Sequence, residues 1–157
     1  MPAIHQFSES NLLGEVETIP VANLNLGSND SAELNTTTYP IVRGDASFEK
    51  YFRCKFTDVF TEISNMKFWK SVGGYGAGEA LKAAANVAYV QPSATPNADS
   101  NIPESEGASL AIQSAAGTST IVAPGYTKYI RLQLRSTGST PRGSVAQKTM
   151  IFQFDEI

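Results

Sequence analysis

From residue 48 onward, apolar and polar side chains alternate along short runs of the chain. In "YFRCKF", Phe52, Cys54 and Phe56 fall on one side while Tyr51, Arg53 and Lys55 fall on the other. "NMKFWKS" does the same, with Met66 and Phe68 opposed to Lys67 and Trp69. In "YIRLQLR", Ile130, Leu132 and Leu134 alternate with Tyr129, Arg131, Gln133 and Arg135. In "TMIFQF", Met150, Phe152 and Phe154 alternate with Thr149, Ile151 and Gln153. A period of two predicts half-buried strands. "SLAIQS", around Leu110 and Ile112, is a shorter candidate, and the turn-rich "STGSTPRGSVAQ" predicts a hairpin-like return between the last two long runs.

The stretch "SVGGYGAGEALKAAANVAYV" is ambiguous on its own. Propensity reads "AGEALKAAAN" as helix. Alternation reads a strand, with Leu81, Ala83, Ala85, Val87 and Tyr89 on one face and Lys82 and Asn86 opposite. The strand is preferred, because a lone helix among strands has no partner surface to cover. Gly74, Gly76 and Gly78 resemble a phosphate-binding loop at first sight. Their G-x-G-x-G spacing is neither the dinucleotide fingerprint nor the Walker form, and no βαβ unit surrounds them. They predict a strand-to-strand loop.

Residues 1–40 differ from the rest: apolar residues are scattered among turn formers, and only "VETIPVANLNL" hints at a strand. This segment predicts an extended N-terminal arm or edge segment, dispensable for folding, followed by a β-sandwich domain over 41–157. "QPSATPNADSNIPESEG", residues 91–107, has three prolines, three acidic residues and almost no large apolar side chain, which predicts a long surface loop.

Composition narrows the chemistry. The 157 residues suffice for one domain with a core. Charged residues make up 17% of the chain, below a typical share of about 25%, and the net charge of −3 argues against general nucleic-acid binding. No apolar run is long enough to predict a membrane helix, and "MPAIHQFSESNLLGE" has no secretory pattern, so synthesis in a cytoplasm is expected. Cys54 is the only cysteine, which excludes an internal disulfide. His5 is the only histidine and sits in the arm, so neither a triad nor a positioned general base is expected. The pairs Glu15/Glu17 and Glu104/Glu106 match no calcium-loop pattern. Arg131, Arg135, Arg142 and Lys148 read as solvated or interface positions. No catalytic, cofactor or metal residue is predicted.

Three stretches together, "KYFRCKFTDVFTEISNMKFWKS", "EALKAAANVAYVQPSATP" and "YTKYIRLQLRSTGSTPRGSVAQKTMIFQFDEI", resemble small immunoglobulin-like β-sandwich proteins among the structural genes of tailed bacteriophages. Tyr129–Leu134, Thr140–Gly143 and Phe152–Glu156 take the places of that group's closing strand, turn and acid-ended last strand, and the likeness covers residues 48–157. It implies an all-β, antiparallel immunoglobulin-like sandwich, with Trp69 in the place of the buried tryptophan of such folds. It also implies a non-enzymatic virion component without cofactors, most simply a capsid decoration or cement protein. Such a protein would act in repeated copies or as a homo-oligomer on the major capsid protein, and bind neither nucleic acid nor membrane. Tail, neck or baseplate placement is the close alternative. Phe7, Leu12, Leu13, Val21 and Leu24 of the arm are the expected partner contacts, with Tyr75 and Tyr126 on loops. A carbohydrate or host-surface module, stacking sugars on Tyr75, Tyr89 and Tyr126, is the alternative of another class.

Overall fold

The computed structural model describes residues 2–143 and 145–157. Ten strands appear in chain order: β1 (Ile4–Asn11), β2 (Val16–Thr18), β3 (Lys50–Thr57), β4 (Ile63–Val72), β5 (Ala80–Val87), β6 (Ser100–Asn101), β7 (Leu110–Ala111), β8 (Gly125–Tyr126), β9 (Tyr129–Arg135) and β10 (Thr149–Glu156). Among the described residues a single 3-10 turn spans Glu106–Ala108. The chain is all-β. Its larger sheet runs β2-β1-β3-β9-β5-β6, with β8 also on β3, and its smaller sheet runs β10-β4-β7; every pairing is antiparallel.

The alternating apolar residues meet between the sheets. Phe52, Cys54 and Phe56 of β3, Leu81 and Ala83 of β5, and Ile130, Leu132 and Leu134 of β9 face Ile63, Met66 and Phe68 of β4 in one buried cluster. Aromatic edges interlock across the gap, Phe52 against Phe68 at 5.3 Å and Phe56 against Phe154 at 5.0 Å between ring centres. The alanine tract is strand β5, registered on β9 from Ala80/Arg135 to Val87/Tyr129. β5 lies between β9 and the two-residue β6. Trp69 is buried, yet it stands outside the inter-sheet cluster.

Residues 1–40 do not stand apart from the sandwich. Ile4–Asn11 pairs with β3 at seven registered positions, from Ile4/Thr57 to Ser10/Tyr51, and β2 lies outside it as the sheet's edge. Ser8, Glu9, Ser10 and Asn11 are all buried. No apolar alternation marks this strand, because, of its inward residues Phe7, Glu9 and Asn11, two are polar. Glu9 is accommodated by Lys50, whose ammonium lies 2.5 Å from its carboxylate, both side chains being fully enclosed. Asn11 donates to Glu9 and to Asp30, extending the network into the loop before β3.

The acidic segment 91–107 is anchored along much of its length. Asn97 donates to Glu49, Asp99 holds Arg131 with two bonds of 2.8 and 2.6 Å, and Ile102 is buried in the core. Glu104 and Glu106 then meet Lys70 and Lys67 of β4. The segment straps the edge of the larger sheet to the smaller one.

Candidate functional site: an apolar cleft on the open side of the sandwich

The two sheets are unequal in width, and a cleft opens on one side of the core, whose own residues stay buried beneath it. The larger sheet ends there in the three-residue β2, continued by the bond from Val21 N–H to the Phe7 carbonyl (2.9 Å); the smaller sheet ends in β10. Between them opens a cleft of about 1070 Å³. Its floor is core: Phe52, Phe68, Leu81, Leu132 and Leu134. One wall is formed by Val21, Leu24, Leu26 and Ile41 in the long connection from β2 to β3, the other by Val145, Met150, Ile151 and Phe152. No carboxylate lines it among the described residues; the titratable groups are His5 and Lys148. His5 is exposed, with the rings of Phe154 at 5.3 Å and Phe7 at 6.4 Å beside it.

The expected contact residues separate into three places. Phe7, Val21 and Leu24 are turned toward the chain's own interior and line the cleft, so they are not ridges on a free arm. Phe7 is half-buried with its ring 5.6 Å from Phe152. Leu12 and Leu13 are 48% and 81% exposed at the tip of the β1–β2 hairpin. Leu12 has φ +65°, a left-handed conformation uncommon for a non-glycine residue, so the tip holds its apolar side chains outward at some strain. Tyr75 lies in the glycine loop after β4, between the ammonium groups of Lys70 and Lys148, each 4.9 Å from its ring centre. Tyr126 is on the far face of the larger sheet under Arg53, at 4.0 Å, and donates to Glu17 at 3.1 Å.

That far face is a polar network made by the chain for itself. Tyr51, Tyr89 and Tyr129 form a triangle with ring centres 5.2 to 6.2 Å apart. Tyr129 hydrogen-bonds to Ser10 and donates to Glu15; Tyr89 donates to the Leu12 carbonyl at 2.6 Å. Burial pushes Tyr89 up to about 12, and it raises Tyr129 and Tyr51 as well. Burial alone would raise Glu17, but its hydrogen bonds from Arg53 and Tyr126 outweigh that and hold its carboxyl below the usual range. The acidic pairs and basic residues singled out in the sequence are thus largely spoken for within the chain: Glu15 and Glu17 by Arg53, Asp99 by Arg131, Glu79 by Lys148. Among the described residues no three His, Cys, Asp or Glu side chains gather as metal ligands. No helix among them is long and apolar enough to cross a membrane.

Burial pushes the Cys54 thiol up to about 12, the setting of an inert core thiol. The glycine loop has a steric purpose. A Cβ on Gly73, at φ +101°, would stand 2.4 Å from the Gln147 carbonyl oxygen, so the residue lets the strand leading to β10 run close by. The cleft's Leu26 and Ile41 were not singled out in the sequence, although the spacing of Val21, Leu24 and Leu26 was its one local signal. No family model, curated protein or solved structure matches the chain.

Proposed function

We propose that this protein works by association, as a non-enzymatic structural component of a virus particle: a capsid decoration or cement protein present in repeated copies. The observation that carries the association is the open side of the sandwich, where a cleft of about 1070 Å³, lined mostly by apolar residues, lies between β2 and β10. A concave, mostly apolar site of this kind on a small domain is a place for another molecule. The exposed Leu12–Leu13 tip offers a second, smaller contact. The charged side chains described above serve the fold, which fits a molecule whose work is to hold surfaces together. The virus particle enters from the resemblance of residues 48–157 to phage structural proteins, which also motivates the major capsid protein as partner. Repetition over a shell lets modest single contacts act together.

The test is to purify particles from cells that make this chain together with the capsid proteins of the same phage. The expected result is co-sedimentation in a fixed ratio to the major capsid protein, with a two-layered density on the shell in electron cryomicroscopy. A few copies confined to one vertex would instead support a neck or tail position. Recovery only in the soluble fraction overturns the proposal.

A further inference from the structure

The unroofed side is bordered by β10, and the main chain of β10 specifies what can join it. Ile157 exchanges both main-chain hydrogen bonds with Glu62, 2.9 Å from its N–H and 3.1 Å to its carbonyl. Alternation along an antiparallel strand then turns the N–H and C=O groups of Met150, Phe152, Phe154 and Glu156 away from β4. None of these four has a main-chain partner among the described residues. The edge is also regular in register. The pairing with β4 has two irregularities, Thr149/Met150 facing Val72/Lys70 and Gln153/Asp155 facing Lys67/Ser64. In both, the extra residue belongs to β4, so β10 itself is regular over eight residues. It contains no lysine, proline, glycine or bulge, and its charges, Asp155 and Glu156, are confined to its last two residues.

We infer that β10 pairs antiparallel with β10 of a second copy, about a two-fold axis at Phe152. Parallel alignment would set Asp155 and Glu156 of both copies side by side. Antiparallel alignment sets them at the opposite end, and the register centred on Phe152 is the one in which charge and face both match. There Met150 opposes Phe154 of the second copy and Phe152 opposes its own equivalent, on the core-facing side. Thr149 opposes Asp155, Ile151 opposes Gln153, and Lys148 opposes Glu156. Lys148 is held within its own copy by Glu79 and the Ala146 carbonyl with its side chain 7% exposed, and Glu156 accepts from the Ala3 N–H, so the two bring opposite charges to this end of the pairing without a direct bond. A shift by two residues puts Lys148 against Phe154 in one direction, and Met150 against Glu156 in the other. The result is a six-stranded continuous sheet, β7-β4-β10-β10-β4-β7. The added strand lies along the cleft mouth at Met150, Ile151 and Phe152, which form part of its wall. An interface made of the same patch on both copies closes on itself, so it yields a dimer and not a fibre.

The inference rests on reading the open side as an association surface. Its test is the mass of the full chain in solution, by sedimentation velocity over a dilution series. A particle of twice the 16.8 kDa chain mass is expected. Ile151→Lys, placing a lysine on the face opposite Phe152, is expected to give a monomer with an unchanged circular-dichroism spectrum. Should that variant fail to fold, paired cysteines decide. Ile151 and Gln153 of the second copy form a non-hydrogen-bonded pair with Cα atoms about 4.5 Å apart, within disulfide reach. The double variant I151C/Q153C should therefore cross-link on oxidation, while I151C alone should not. A chain that is monomeric at every concentration, or a double variant that never cross-links, overturns the pairing. A monomer that still travels with particles overturns self-pairing alone; a dimer absent from particles leaves self-pairing standing and overturns the particle role.

Discussion

Glu9 and Lys50 sit inside the sandwich with no side-chain exposure, 2.5 Å apart, where an ion pair gives up two hydration shells to form. Such a pair adds little net stability, yet losing one partner strands a charge. Lys50→Met is therefore expected to cost about 3–5 kcal/mol in urea unfolding. The double variant Glu9→Leu/Lys50→Met should recover much of that loss, and a single variant as stable as the parent would show that water reaches the pair. The tyrosines respond to alkali instead. Burial first, then the charges of Glu104 and Glu79, pushes Tyr75 up to about 12 from an ordinary 10.0, and burial does the same for Tyr89. A phenol that holds its proton more tightly folded than unfolded contributes stability in full below pH 10, and that contribution is lost as pH rises toward 12. Denaturation free energies should thus fall across this interval. Phenolate absorbance of the native protein should show two tyrosines titrating near the top of it. A single wave centred at 10 would contradict the described environments.

At the level of elements, legibility followed which face of a strand was apolar. β3, β9 and β10 announce themselves because each carries three apolar residues at alternate positions, and these residues build the core or pack against it. β5 was readable from its neighbours: an isolated helix had nothing to pack on, and the tract is in fact registered along β9. β1 was not readable as an integral strand. Its inward positions alternate through Phe7, Glu9 and Asn11, and the partner that makes Glu9 tolerable lies 41 residues away at Lys50. The cleft was half legible. Phe7, Val21 and Leu24 were picked out as contact residues, but their arrangement around an opening depends on how far the smaller sheet extends. The glycine loop offers a check on its structural role. Gly73→Ala forces a Cβ against Gln147 at φ +101° and is expected to cost about 1–3 kcal/mol. Gly74→Ala meets nothing within 4 Å and should stay within about 0.5 kcal/mol of the parent. Equal effects at both positions would show that close approach to the β10 lead-in is not what the loop is for.

At the scale of the molecule, the decisive matter is whether the first forty residues are an attachment or part of the sheet. Strand β1 covers the outer edge of β3 along seven registered positions, and Phe7 closes the aromatic stack between Phe52 and Phe152. Removing residues 1–40 would free the main-chain groups of β3, expose Phe52 and Phe56 from one side, and leave Lys50 buried without Glu9. Loss of these together exceeds the margin of about 5–15 kcal/mol by which small domains are stable. The truncated chain is therefore expected to be unfolded or insoluble, by loss of amide dispersion in NMR and of a cooperative melting transition. The hairpin tip behaves differently. Leu13 is 81% exposed, so Leu13→Ser should leave melting unchanged and act, where it acts at all, on attachment to particles. A truncated chain that melts cooperatively would mean that β3 tolerates an open edge; an unfolded one would show that β1 belongs to the fold of the sandwich.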